Sequence, residues 1–174
     1  MAQWELRFEP KQIRELADHY QYEDDLHVLE IGRCARTAGQ FNFKDFLTVC
    51  RWKTSRSQSK CRKNTPEEVA EITRLALSTS IERLRIEVLR CLHGVEWPTA
   101  SVLLHIAHHD PYPILDRRAL WSLGFEKAPP LYSFHFWWQY VQTCRSLAQE
   151  SGVDMRTLDR AMWQYSKEHQ GPLA

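Results

Sequence analysis

The sequence predicts an all-α protein, and three observations support that class. Only six of 174 residues are glycine, and alternating β-branched runs are few. Apolar residues instead recur at helical spacing between recognisable start and stop signals. The composition, 43% hydrophobic and 26% charged, is that of an ordinary globular chain, which argues against a disordered or membrane-spanning one. The length suits one domain with a real core, or a core with a helical appendage.

Each element has a local reason. Pro10 opens a first helix over residues 11–20. Asp24 or Asp25 caps a second, which carries Leu26, Leu29 and Ile31 towards Gly39. Residues 41–52 form an apolar helix through Phe43, Phe46, Leu47, Val49 and Cys50. The basic, Ser-rich stretch 53–64 reads as a loop or frayed helix end. Thr65-Pro66-Glu67-Glu68 is a strong helix start: a capping hydroxyl, a proline at the first helical position and acids in the first turn. The next helix runs from Ile81 through Leu84, Ile86 and Leu89 to Leu92, and Gly94 ends it. Trp97-Pro98-Thr99 begins another, which Asp110-Pro111-Tyr112-Pro113 breaks. Asp116 starts the next, reaching Gly124. Ala128-Pro129-Pro130 is the evident linker. It divides the chain into a core of residues 1–127 and an aromatic-rich segment of residues 128–174 packed on it, with one or two helices over 131–169.

A net charge of +1 argues against nucleic-acid binding through bulk charge alone. The distribution is more informative. Residues 1–30 are rich in acids, whereas residues 51–63 carry Arg51, Lys53, Arg56, Lys60, Arg62 and Lys63 with no acid. Such a local basic face suits a short phosphate contact, or a solvated loop. The five cysteines include no Cys-x-x-Cys, so neither a zinc ribbon nor a redox motif is indicated. With no leader visible at the N-terminus, a reduced cytoplasmic protein is expected.

The most informative segment is Leu92-His93-Gly94-Val95-Glu96-Trp97-Pro98-Thr99-Ala100. Within a unit of about residues 84–121, two helices meet across a short turn, where Gly94 supplies positive φ and Val95 tucks beneath. The second helix presents backbone N–H groups near Glu96, Trp97 and Thr99, a natural phosphate site. These residues resemble the helix-hairpin-helix motif of the DNA glycosylase superfamily, which reads roughly Leu-Pro-Gly-Val-Gly-x-x-Thr-Ala. Tyr112-Pro113-Ile114-Leu115-Asp116-Arg117-Arg118 resembles the turn that carries the family's catalytic aspartate, at the separation found in the endonuclease III branch. Residues 46–55 look like the early helix and DNA-probing loop, with Lys53 where the loop's glutamine stands. The resemblance covers about residues 41–125.

The resemblance implies a DNA glycosylase-like helical fold acting on double-stranded DNA. It departs from the family at named places. His93 and Glu96 replace the usual proline and second glycine, and the stretch before the hairpin is short. Pro98 stands where bifunctional members keep a lysine nucleophile, and the iron–sulfur cysteines are absent. The implied enzyme is therefore monofunctional and needs no cofactor. It would hydrolyse the N-glycosidic bond of a flipped damaged base, because the anomeric carbon is inaccessible inside the duplex stack. Asp116 would stabilise the oxocarbenium-like sugar and orient water, unless it is simply a helix cap.

Gly94, Val95, Trp97 and Thr99 would contact DNA through the hairpin, with Lys53, Arg56 and Arg117 as phosphate partners. Trp52 and Trp97 are candidate base-stacking walls, though core packing explains either ring as well. Arg117 can equally form surface ion pairs. His105, His108 and His109, followed by Asp110, have a spacing that metal ligation can use, yet histidines are favoured at helix C-termini. No metal site is expected from them. The aromatic set Tyr132, Phe134, Phe136, Trp137, Trp138 and Tyr140 docks its segment on the core or forms a partner surface. Two alternatives to the enzyme are a non-catalytic DNA-binding protein that retains the hairpin and a helical protein-interaction domain. No membrane partner is expected, and nothing in the sequence sets the oligomeric state.

Overall fold

A computed structural model of the chain describes residues 4–22 and 25–171. It is 67% helix, with no strand among the described residues, so the protein is all-α. The chain forms two compact units, residues 23–110 and residues 1–22 with 111–174. This division cuts across the boundary expected at 127/128. The N-terminal helix packs along the last helix of the chain, so the first and final segments share one core.

The unit of residues 23–110 contains α2 (Asp25–Ala38), α3 (Phe43–Lys53), α4 (Gln58–Cys61), α5 (Pro66–Ser78), α6 (Glu82–Leu89) and α7 (Trp97–Ala107). Helix α7 is its centre, with every residue from Thr99 to Leu104 buried and α2, α3 and α6 packed around it. A helix apolar on all sides gains its stability from such burial rather than from its caps. Gly32 of α2 permits the closest approach: a Cβ there would lie 2.4 Å from the Ile106 carbonyl oxygen. Arg36 donates to the carbonyls of Ile106 and Ala107 at 3.2 and 3.1 Å, satisfying the C-terminal end of α7. Arg85 is buried, yet it donates to the Ala76 carbonyl at 3.1 Å, approaches Glu82 at 3.4 Å and meets His108 Nε2.

The expected signals hold at several starts. Thr65 Oγ1 accepts from the Glu68 amide at 3.2 Å, and Glu68 returns the bond to the Thr65 amide at 2.7 Å. Asp25 is the first residue of α2 rather than its cap, while Asp24, the other candidate cap, lies outside the described residues. Two segments differ from expectation. Residues 55–61 are a 3-10 turn followed by α4 rather than a loop, because Cys61 is buried and Gln58 donates to the Leu47 carbonyl at 3.2 Å. Helix α6 stops at Leu89, where the amides of Arg90, Cys91 and Leu92 tighten into i→i−3 bonds ahead of Gly94.

The other unit holds α1 (Ile13–His19), α8 (Arg117–Ser122), α9 (Phe134–Glu150) and α10 (Met155–His169). Helices α1 and α8 both pack on α10. The expected aromatic segment forms much of this core. Trp137 stacks on Tyr112 at 5.7 Å, and buried Tyr140 donates to the Ile114 carbonyl at 2.8 Å. Gly152, with φ +61°, and the capping residue Asp154 separate α9 from α10, so residues 131–169 form two helices.

Candidate functional site

The turn between α6 and α7 is fixed by its own chemistry. Gly94 has φ +81°, a conformation that L side chains rarely adopt. A Cβ there would also lie 2.7 Å from Cys61 Sγ and 3.0 Å from the Ser57 carbonyl oxygen, so α4 leaves no room for one. Val95 is buried as expected, and its amide closes the turn on the Leu92 carbonyl at 3.1 Å.

Asn64 clamps the turn from the other side. Its Oδ1 accepts the His93 amide at 2.8 Å, and its Nδ2 donates to the carbonyls of His93 and Cys61 at 3.0 and 2.8 Å. One buried side chain thus ties the hairpin to the end of α4. Such an amide, satisfied on both sides, is a rigid brace.

The side chain at the capping position of α7 makes no hydrogen bond back to the helix. Glu96 occupies the capping position, but its carboxylate is 75% exposed and lies 3.5 Å from Arg90 Nη2. Its negative charge is partly balanced by Arg90. Beside the turn lies a cleft of about 450 Å³, lined by Thr54, Arg56, Ser57, Lys60 and residues 90–96. Arg56, Lys60 and Arg90 set three cations around it against Glu96 alone. The acid-free stretch of the sequence and the hairpin thus share one concave surface, which favours an anionic ligand.

The expected contact residues divide into several roles. Gly94 and Val95 line the cleft, but Val95 is 2% exposed and can offer a ligand only backbone. Thr99 is likewise buried and does not line the cleft. Trp97 is 5% exposed, with the Arg90 guanidinium 4.7 Å from its ring, so it packs within the protein and is not a base-stacking wall. Arg56 is exposed and faces the cleft; Lys53 and Trp52, at the end of α3, are half-buried and do not line it.

Asp116 and Arg117 belong to the other unit. Asp116 caps α8, its Oδ1 accepting the Arg118 amide at 2.8 Å, and it is half-buried. Burial first, and the Asp116 carboxylate second, raise the phenol of neighbouring Tyr132. Arg117 is exposed. Capping is therefore one role of Asp116.

His108, His109 and Asp110 bring their donor atoms within 4.8 Å of one another, while His105 is not among them. His108 Nδ1 accepts the Asp110 amide at 2.9 Å, and its Nε2 meets Arg85. Both ring nitrogens are engaged, and a cation would meet the buried guanidinium.

Sequence reasoning missed Asn64, Cys61 and Arg90. Lys60 carried a signal in the acid-free stretch, but the other three carried none, because their roles depend on contacts across the fold. Comparisons with family models, with curated proteins and with solved structures return no match to this chain.

Proposed function

We propose that this chain binds double-stranded DNA through the turn before α7, as a divergent helix-hairpin-helix protein of the DNA glycosylase type. The single observation that most supports this is that Glu96, at the capping position of α7, makes no side-chain cap bond and lines a cleft with Arg56, Lys60 and Arg90. The first amides of a helix attract a phosphate through hydrogen bonding and the helix dipole together. Gly94 lets the backbone turn without a side chain standing in the way. Neighbouring cations add the salt-dependent part of the affinity.

The chemistry assigned to Asp116 is N-glycosidic hydrolysis without a covalent intermediate. As the base departs, positive charge grows on the sugar, and a carboxylate fixed by its helix stabilises that charge with little reorganisation. A half-buried aspartate with one oxygen held by the Arg118 amide suits that task. Pro98 supplies no amine, so strand cleavage through a Schiff base is not part of the reading.

Two assays test it. Binding to a duplex carrying an abasic-site mimic is compared with plain duplex over a salt series; tight, salt-dependent binding supports the hairpin assignment, and no binding contradicts it. Base release from a panel of damaged duplexes is then compared with Asp116→Asn. Release abolished by this substitution supports catalysis. Binding without release favours the non-catalytic alternative.

A further inference from the structure

The cleft beside the turn is roomier than one phosphate on a passing strand requires. Its volume of about 450 Å³ falls within the range of small-molecule pockets, roughly 300–1,000 Å³. Separate pieces of chain wall it. Arg56 comes from the 3-10 turn Ser55–Ser57, Lys60 from α4, and Arg90 from the residue that closes α6. The hairpin backbone forms another wall, and the Asn64 clamp on His93 holds it in one shape. A site fixed in advance loses little affinity to ordering when a ligand arrives.

Charge within the cleft is unevenly committed. Arg90 is already engaged, its guanidinium 4.7 Å from the Trp97 ring and 3.5 Å from the Glu96 carboxylate. Among the described residues that line the cleft, Glu96 is the one carboxylate. Arg56 and Lys60 therefore make up a formal excess of two positive charges, and both residues are exposed. The hydroxyls of Thr54 and Ser57 line the same space and are short neutral donors. A phosphodiester within a strand carries one negative charge. A phosphomonoester at a strand end carries about −1.5 to −2 at neutral pH, with three strong acceptor oxygens. The excess matches the monoester better. Shape agrees with charge. An unbroken strand that dips into a cleft must bring the sugars on both sides of the phosphate with it, whereas a strand end brings one.

We propose that this cleft seats the terminal phosphomonoester of a broken DNA strand, so that the protein prefers nicked duplex carrying a phosphate at the break. The proposal rests on the DNA reading and narrows its substrate. Arg56 and Lys60 bind the phosphate oxygens, and the remaining volume takes the terminal sugar. A 5′-phosphate and a 3′-phosphate share this chemistry, so the test offers both. Cys91 supplies a reporter, because it is exposed and lines the cleft, while Cys34 of α2 is exposed and does not line it.

The test offers the full-length protein one duplex in separate forms: intact, nicked with a 5′-phosphate, nicked with a 3′-phosphate, and nicked with hydroxyls on both sides. At least one phosphate-bearing nick should bind about tenfold tighter than the hydroxyl nick. The same duplex should slow alkylation of Cys91 by iodoacetamide more than the hydroxyl nick does, with Cys34 unaffected. Arg56→Gln and Lys60→Gln, each checked by urea unfolding, should cut the preference to about twofold or less, as a charge-assisted bond is lost. Equal affinity for all nicked forms overturns the proposal and leaves the DNA reading standing. No binding to any form overturns both. A preference that survives in both variants, or that leaves Cys91 unprotected, puts the phosphate elsewhere and overturns the proposal as well.

Discussion

Helix α8 begins at Asp116, whose carboxylate accepts the Arg118 amide at 2.8 Å, whereas α7 begins at Glu96, whose carboxylate turns aside to Arg90 and caps nothing. Both capping positions carry an acid, yet only the shorter side chain bonds back. Aspartate reaches the second or third amide of its own helix readily, which glutamate at this position does poorly. The need differs as well. With six residues, α8 has few internal bonds and depends on its cap, while α7 is buried along most of its length and is held by packing. A helix stabilised by its core can leave its first turn uncapped, and that is where a phosphate-binding function has room to exist.

Substitutions can break this contrast in descending order of effect. Gly94→Val places a branched side chain at φ +81° and against Cys61, so it should destabilise the fold by about 3 kcal/mol or more, read from urea unfolding. A loss below about 1 kcal/mol would mean that the turn relaxes and is no rigid scaffold. Asn64→Ala removes the clamp on His93 and Cys61 and should cost about 2 kcal/mol, with faster hydrogen exchange at residues 92–96.

At α8 the two readings of Asp116 come apart. Asp116→Ala should lose about 1 kcal/mol as a cap is removed, while Asp116→Asn should keep nearly all stability. If Asp116 is also catalytic, both variants lose base release. Release retained by Asp116→Asn would leave it a cap alone. Smaller still is Lys60→Ala, which should leave stability within about 0.5 kcal/mol and reduce the slope of log affinity against log salt by about one phosphate contact. An unchanged slope would remove Lys60 from the interface.

The same residues show what a sequence can reveal. The Thr65 capping box and the helix that follows are legible, because their determinants lie within one turn. Gly94 is legible as a turn residue, but its second reason, the Cys61 sulfur behind it, is not. Asn64 bonds His93 across 29 positions, and no local pattern announces such a partner. Helix α4 reads as loop because its polar residues hide the buried Cys61 and the Gln58 bond to Leu47. The division at 127/128 follows a proline-rich linker, whereas the observed units follow the packing of α1 on α10, a contact between opposite ends of the chain. Trp97 can be read as wall or core from its sequence position; only its 5% exposure decides for core.

The most direct test of the DNA reading follows backbone amide resonances while a short duplex is added at low salt. The account predicts that the Trp97 and Thr99 amides, with those of residues 92–96 and Lys60, shift first and furthest, and that added salt reverses the shifts. Pro98, which has no amide, is silent. Shifts that leave the start of α7 unmoved, or that gather on the aromatic unit instead, would contradict it.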